Sequence, residues 1–146
     1  MHRLIKIRII RDFEHLEQRW RCQPDQRFES TRTHVHFQPA ADFYETTQGL
    51  VVRLELAGVK PDSLSLSLAG QELVVQGHRL PPPPAGMRRF IHLEMGFGAF
   101  ERCFILPIPI DPQGVQARFT DGILEITLPR KAPQSRQISV KQAESD

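Results

Sequence analysis

Apolar and polar residues alternate along most of the middle of the chain, which is the period expected of half-buried β-strands. The stretch LVVRLEL at residues 50–56 places its leucines on one face and Arg53 and Glu55 on the other. Five more runs of this kind follow: SLSLSL, ELVVQGH, FERCFIL, VQARF and ILEITL. Turn signals separate the runs, and the strongest is Asp121-Gly122, which favours a type I′ hairpin. The pattern predicts an all-β, antiparallel sandwich.

An N-terminal arm, residues 1–38, precedes the predicted sandwich, which spans residues 39–130. The arm begins with alternating apolar and basic residues, LIKIRII, and then changes to a spacing of three or four. That spacing predicts a helical part with Ile9, Phe13, Leu16 and Trp20 on one face. We expect the arm to bind apolar patches of unfolding proteins and to assist assembly. The alternative is an ordinary helix packed on its own domain. The residues assigned to this role are Ile5, Ile7, Ile9, Ile10, Phe13, Leu16 and Trp20.

A C-terminal tail, residues 131–146, is polar apart from Ile138 and Val140, which point the same way in an extended backbone. Such a pair suits a groove elsewhere in the assembly. We expect that groove between two strands whose edges a tail can cover. The alternative is a disordered tail. The residues predicted to line the groove are Leu64, Leu66, Leu68, Val115, Ala117 and Phe119.

The connection between His78 and Phe100 is too long for an ordinary hairpin loop, and its four consecutive prolines should hold its start extended. We predict that Phe90–Glu94 forms a strand that crosses to a second subunit. There it would pair with the strand around Phe43–Glu45 and cover that edge. The alternative is a loop folded onto its own sandwich. The predicted dimer interface consists of Phe43, Tyr44, Glu45, Ile91, Leu93, Glu94 and Arg102.

Arg102 has an unusual position because it is in phase with Phe100, Phe104 and Leu106 on an apolar face. An unpaired guanidinium group there would be costly in free energy. Either a carboxylate meets it, with the dimer interface as one place for the contact, or the strand twists it towards water. We favour the carboxylate.

Composition and charge exclude several classes of protein. A net charge of +2 is too small to predict a nucleic-acid partner, and no apolar run is long enough to span a membrane. Charges interrupt the first apolar stretch, so it does not resemble a secretory signal, and a cytoplasmic protein is expected. Cys22 and Cys103 cannot form a disulfide framework, and both are expected to be thiols. The sequence contains no P-loop, G-x-S-x-G or H-E-x-x-H motif, so we expect neither an enzyme nor a cofactor or metal site.

The segment ARFTDGIL at residues 117–124 resembles the A-x-x-x-n-G-v-L signature of the small heat-shock protein (α-crystallin) family. FYE at residues 43–45 is similar to the family's first core strand, and LELAGV to its L-P-G-v turn, with Ala57 in place of proline. HLEMGFGAFERCFILP is similar to the segment E-r-x-f-G-x-F-x-R-x-f-x-L-P, with Met95 where an arginine is common. Ile138-Ser139-Val140 is similar to the I-x-I/V tail motif.

This resemblance implies an immunoglobulin-like sandwich, the α-crystallin domain, with dimers that assemble into larger homo-oligomers. It also implies ATP-independent holding of partly unfolded client proteins under stress, with an ATP-dependent refolding chaperone as a further partner. Family members with a long loop at this position exchange strands between subunits, in agreement with the interface predicted above. The alternative functions are a co-chaperone or adaptor of the same fold with one specific partner, and a structural protein that acts by packing alone.

Overall fold

The computed structural model describes residues 5, 7–10, 37–82 and 84–140 of the chain. These residues form eight β-strands and two short 3-10 turns, Pro61–Ser63 and Pro112–Gly114. In chain order the strands are β1 Ile7–Ile10, β2 Ala41–Glu45, β3 Gly49–Glu55, β4 Ser65–Ala69, β5 Glu72–Arg79, β6 Gly98–Ile105, β7 Gln116–Thr120 and β8 Ile123–Pro129.

The strands make two four-stranded sheets, in the orders β1-β4-β5-β6 and β2-β3-β8-β7. Every pairing is antiparallel except that of β1 with β4, which is parallel. One cluster of buried apolar side chains joins the two sheets, and both sheets contribute to it. The prediction of an all-β, immunoglobulin-like sandwich is confirmed.

Alternation along each strand decides which side chains enter the core. In β4, Leu66 and Leu68 are buried, whereas Ser65 is exposed and Ser67 is half-buried. Each large aliphatic side chain buried in this way contributes on the order of 1.5–3 kcal/mol to stability. The completely enclosed members of the core are Leu50, Leu54, Leu56, Leu66, Leu73, Leu106, Leu124, Ile126, Leu128, Val52 and Val75.

The hairpin between β7 and β8 has the two-residue turn that the sequence predicts. Thr120 pairs with Ile123, and Asp121 and Gly122 between them have φ angles of 52° and 79°. Positive φ at both positions is the requirement of a type I′ turn, which matches the twist of the flanking strands. The carbonyl of Gly122 also accepts a hydrogen bond of 2.7 Å from the amide of Leu56. The turn therefore connects β8 to the end of β3 as well as to β7.

The N-terminal arm differs from the prediction, because Ile9 lies on a strand rather than on a helix. Residues 7–10 continue the alternation of LIKIRII, and as β1 they pair with β4, which would otherwise leave one row of backbone groups unpaired. The helical prediction is thus wrong at Ile9. Phe13, Leu16 and Trp20 lie outside the described residues.

The connection from Leu80 to Phe97 contains no strand among its described residues. Among the residues that the structure describes, Phe90–Glu94 has no sheet partner, so the predicted exchange with a second subunit stays a prediction. On the strand that follows, Cys103 is in a disulfide bond, and the expectation of a free thiol there is wrong. Two cysteines are too few for a framework but are enough for one bond. The other cysteine, Cys22, lies outside the described residues.

Candidate functional site

Each sheet has two end strands, and the end strands of the two sheets face each other at two opposite sides of the sandwich. Phe43 on β2 packs edge-to-face against Phe104 on β6, with ring centroids 5.7 Å apart. Phe37, just before β2, makes the same contact at the same distance with Phe100. The ends of the sheets formed by β2 and β6 therefore lie together, and the strand orders place the other two ends, β1 with its neighbour β4 in one sheet and β7 in the other, on the opposite side. We call these the β2/β6 side and the β4/β7 side.

The residues predicted to line a groove all belong to the core cluster or pack against it. Leu64, Leu66 and Leu68 are buried in the core. Val115, Ala117 and Phe119 are half-buried and pack against the same core, while the residues that alternate with them on β7 are exposed. Three of the six predicted residues thus lie in the core next to β1, and the other three lie on or just before the end strand β7; the groove itself stays a prediction.

The N-terminal strand occupies part of the β4/β7 side, which sequence analysis did not foresee. Ile7 registers with Leu66 and Ile9 with Leu68, so the two isoleucines share the face of β4 that points into the core. Ile5 and Ile7 are half-buried and pack against the core cluster, whereas Ile9 is 40% exposed. The signal was present in the period-two pattern of LIKIRII, but that pattern does not specify a partner strand.

The C-terminal tail leaves the sandwich at a defined point and then carries its two apolar residues into solvent. A backbone bridge joins Arg130 to Ile110, and the amide of Lys131 donates to the carbonyl of Pro109 at 3.0 Å. Beyond this point Ile138 is 82% exposed and Val140 is 88% exposed. The apolar side chains of the tail motif are therefore left almost fully exposed by the described part of the chain.

The β2/β6 side presents an edge at β2, which pairs only with β3 among the described strands. Phe43 and Tyr44 are both exposed, and Phe43 contacts Phe104 with one side of its ring. Glu45 forms an ion pair with Arg130, with 2.5 Å between its Oε1 and the Nη2 of the arginine. The predicted interface residues of β2 thus lie at an edge whose outward backbone groups are available for a further strand.

The connection between β5 and β6 carries a row of exposed apolar side chains. Ile91 and Leu93 belong to the predicted interface, and Ile91 is 87% exposed. Four further apolar side chains of the connection are exposed as well, and sequence analysis did not predict their exposure. The unusual length of the connection was a signal that could have indicated it. The complete set is Leu80, Met87, Phe90, Ile91, Leu93 and Met95. A row of this kind is unusual for a chain that acts alone.

Arg79 fastens the two ends of this connection together, and sequence analysis missed it. Its guanidinium group lies 3.7 Å from the ring centroid of Phe37 and 5.4 Å from that of Phe97. Its Nε also donates to the carbonyl of Gly96 at 2.8 Å. Cation–π and hydrogen-bond contacts therefore hold the base of the connection against the sandwich, while the residues between remain exposed.

Arg102 is satisfied within the chain by a backbone oxygen rather than by a carboxylate. Its Nη1 donates to the carbonyl of Pro39 at 2.5 Å, and its guanidinium group lies 5.4 Å from the ring centroid of Phe104. Desolvation by burial lowers the pKa of Arg102 from its ordinary value. The contact joins β6 to the segment that leads into β2, so Arg102 supports the β2/β6 side from inside. Its predicted carboxylate partner across a dimer interface stays a prediction.

Within the described residues, no group of three or more histidine, cysteine, aspartate or glutamate side chains is arranged to hold a metal ion. The same part of the chain has no helix that is both long enough and apolar enough to cross a membrane. The candidate functional features of this part of the chain are surfaces: the edge of β2, the apolar margin on the β4/β7 side and the exposed apolar side chains.

A family model described as the Hsp20/alpha crystallin family matches residues 42–141. This match covers most of the chain, including the strands from β3 to β8, nearly all of β2 and the tail motif, but not β1. The chain belongs to the small heat-shock proteins. Membership confirms the resemblance drawn from the sequence motifs and supports a chaperone role rather than an enzymatic one.

Named relatives agree with this assignment. The chain is 33% identical over 95 residues to spore protein SP21 of Stigmatella aurantiaca, a match that covers 65% of this chain and 56% of that protein. It is 30% identical over 109 residues to heat shock protein 16 of Schizosaccharomyces pombe, covering 70% of this chain and 75% of the relative.

A solved structure shows the same architecture. The crystal structure of a small heat-shock protein from Xylella fastidiosa has a TM-score of 0.63 and 27% identity, and the match covers 73% of this chain and 99% of that one. The sandwich described above is therefore the α-crystallin domain of a small heat-shock protein.

Proposed function

We propose that this small heat-shock protein is an ATP-independent holding chaperone that binds partly unfolded proteins and prevents their aggregation. The observation that carries the proposal is the set of large apolar side chains that the single chain leaves exposed, in the connection after β5 and in the tail. Burial of each such side chain against a partner contributes on the order of 1.5–3 kcal/mol. Several contacts of this kind give broad binding of low specificity, which suits unfolded clients.

We propose that the N-terminal arm binds clients and also assists assembly. Ile5, Ile7 and Ile9 are apolar residues that pack only along the margin of the sandwich. Their release would add apolar surface without disturbing the central core. A client held in this way would pass to a separate ATP-dependent chaperone for refolding.

To test the proposal, a client protein is unfolded by heat in the absence of nucleotide, and its aggregation is measured as turbidity. We expect suppression that increases with the ratio of chaperone subunits to client and that does not change when ATP is added. The control is an equal mass of a folded, inert protein. Turbidity that rises equally with the chaperone and with the control would contradict the proposal.

The proposed building block is a dimer in which Phe90–Glu94 of one subunit pairs with the outer edge of β2 in its partner. The available edge of β2 and the exposure of Ile91 and Leu93 support this arrangement. Alternation in the segment would direct Ile91 and Leu93 towards one face and His92 towards the other. Strand pairing would thus bury apolar side chains and satisfy both backbone edges at once.

Dimers are proposed to join into larger oligomers through the tail, with Ile138 and Val140 entering the β4/β7 side of another copy. The strong exposure of both side chains in the single chain supports this step. The predicted groove residues are apolar, as are Ile138 and Val140, so contact between them would bury apolar surface on both sides.

A same-fold adaptor with one specific partner remains the second candidate function, and exposed apolar surface is compatible with it. Light scattering separates the two, because an adaptor is expected as a small, fixed species, whereas a holding chaperone is expected as a large assembly.

A further inference from the structure

One apolar side chain is buried on the outer face of the β1-β4-β5-β6 sheet, the face that points away from the core. Leu73 and Val75 of β5 belong to the core cluster, so Val74 between them points to the opposite face. Val74 is nevertheless only 5% exposed, and the core cluster does not include it. Because the outer face of an antiparallel sheet is normally in contact with water, the burial of Val74 has a source other than the core.

The burial on this face is local. Ile105 of β6 alternates with core residues and is 48% exposed, and His78 near the end of β5 is exposed as well. The residues that register with Val74 are Ser67 on β4 and Cys103 on β6, and both are half-buried. The covered area is therefore centred on Val74 and Cys103 rather than spread over the sheet.

Cys103 indicates what covers this area, because its sulfur is in a disulfide bond. The chain contains two cysteines, so the partner within the single chain is Cys22 of the N-terminal arm. Cys22 lies outside the described residues, and the pairing follows from the count of cysteines alone. The burial of Val74 beside Cys103 is independent of that count, and it agrees with a segment attached to this face.

We propose that the bond between Cys22 and Cys103 is a reversible redox tether that holds the N-terminal arm on the outer face of β5 and β6. The proposal rests on the client-binding role of the arm put forward above and adds its regulation. In the oxidised protein the arm is held on the sheet, so Leu16 and Trp20, which are close to Cys22 in sequence, are withheld from clients. In the reduced protein the arm leaves this face and binds clients.

The chemistry of the switch is thiol–disulfide exchange. A dithiol attacks one sulfur of the bond as its thiolate and displaces the other cysteine, then closes to its own disulfide and displaces the second cysteine. The protein gains two electrons and two protons, and the dithiol loses them. The reverse step needs a disulfide oxidant, such as the oxidised form of a small thiol. In a reducing compartment, such as the expected cytoplasm, disulfides are rare and are usually redox-sensing or catalytic.

The first experiment maps the bond in the full-length protein after equilibration with oxidised glutathione. Free thiols are blocked, the protein is digested, and the peptides are analysed by mass spectrometry with and without dithiothreitol. We expect one peptide pair that joins Cys22 to Cys103, and a protein that migrates as a single chain on a non-reducing gel. Two blocked thiols, or a bond between two chains, would overturn the proposal.

The second experiment measures release of the arm by limited digestion with trypsin, which cleaves after Arg19 and Arg21 next to Cys22. We expect cleavage at these sites to become several-fold faster after reduction, because a segment held on a sheet is protected from proteolysis. The control is Cys22→Ser, which should be cleaved at the fast rate with and without dithiothreitol. Equal rates for the oxidised and the reduced parent would show that the bond does not hold the arm, and would overturn the proposal.

The third experiment relates the bond to the proposed chaperone activity. The turbidity of a heat-unfolded client without cysteines is followed with the oxidised and with the reduced protein. We expect reduction to lower the concentration of chaperone that halves the turbidity by about fivefold, and Cys22→Ser to act like the reduced parent in both conditions. Equal activity in the two redox states would overturn the regulation. Absence of suppression in both states would contradict the proposed function instead, and the peptide map and the digestion would still test the tether.

Discussion

Two single-residue features keep the margins of the sandwich in place. Arg102 donates to the carbonyl of Pro39 and thereby joins β6 to the segment before β2. Gly122 adopts a positive φ in the turn between β7 and β8, and a Cβ atom at this position would lie 3.1 Å from the Cα of Ala57. Both contacts cross between elements that are distant in sequence. Each of the two contacts therefore helps to fix the position of one strand relative to another.

Substitution of Gly122 by alanine should lower the stability of the sandwich by about 1–2 kcal/mol, because it combines an unfavourable φ with a close approach to backbone. The matched control is Gly86→Ala, which has a φ of 71° but nothing within 4 Å of the added Cβ. Thermal unfolding at equal protein concentration measures both. If Gly122→Ala lowers the stability no more than Gly86→Ala does, the close approach to Ala57 does not contribute to the loss of stability.

At the scale of elements, the connection between β5 and β6 is fixed at its base and exposed in its middle. Arg79 contacts Phe37, Phe97 and the carbonyl of Gly96, so the connection starts and ends at a defined place. The exposed residues between include Ile91 and Leu93. Because the ends of the connection are held against the sandwich and its exposed central residues are apolar, the connection is well suited to contact another subunit.

Replacement of residues 81–95 by a short turn should convert dimers into monomers, because it removes the strand proposed to pair with β2. A milder variant, Ile91→Ser with Leu93→Ser, should weaken the dimer in the same direction. His92→Ser is the matched control, since this side chain alternates with the two apolar ones. Analytical ultracentrifugation measures all three, and dimers that survive the deletion would place the interface elsewhere.

At the scale of the whole molecule, both ends of the chain relate to one margin of the sandwich. β1 lies on β4, and the tail is proposed to enter the same side in another copy. The opposite side, formed by β2 and β6, is proposed to make the dimer. If both proposals hold, the two levels of assembly use separate margins of the α-crystallin domain, and changes at one margin should leave the other intact.

The double substitution Ile138→Ala with Val140→Ala should shift the oligomer towards dimers while the sandwich remains folded. Loss of two apolar contacts weakens each link by a few kcal/mol, at about 0.8 kcal/mol for each buried methylene group removed. Ser139→Ala is the matched control, because it changes the residue between the two apolar side chains. Sedimentation velocity measures size and circular dichroism measures folding. An unchanged sedimentation profile would contradict tail docking.

The period of alternation was sufficient to predict β3 to β8 and the antiparallel sandwich, whereas β2 was indicated only by the resemblance of FYE at residues 43–45 to the family's first core strand. A strand with one buried face must place apolar residues at every second position, and the Asp121-Gly122 turn requires residues that tolerate positive φ. Leu66 and Leu68 were accordingly predicted from the sequence to face the core, and both are buried there. These are local properties, and they can be identified without knowledge of the neighbours.

The partners of the strands and the pairing of charges were decided only by the tertiary structure. The spacing of Ile9 with Phe13 fits a helix as well as the alternation before it fits a strand, and the available edge of β4 decided in favour of the strand. The carbonyl partner of Arg102 is a backbone group 63 residues away in the chain, and every residue supplies such a group. Alternation reports that a face is buried but carries no information on what buries it, because apolar contact is non-directional.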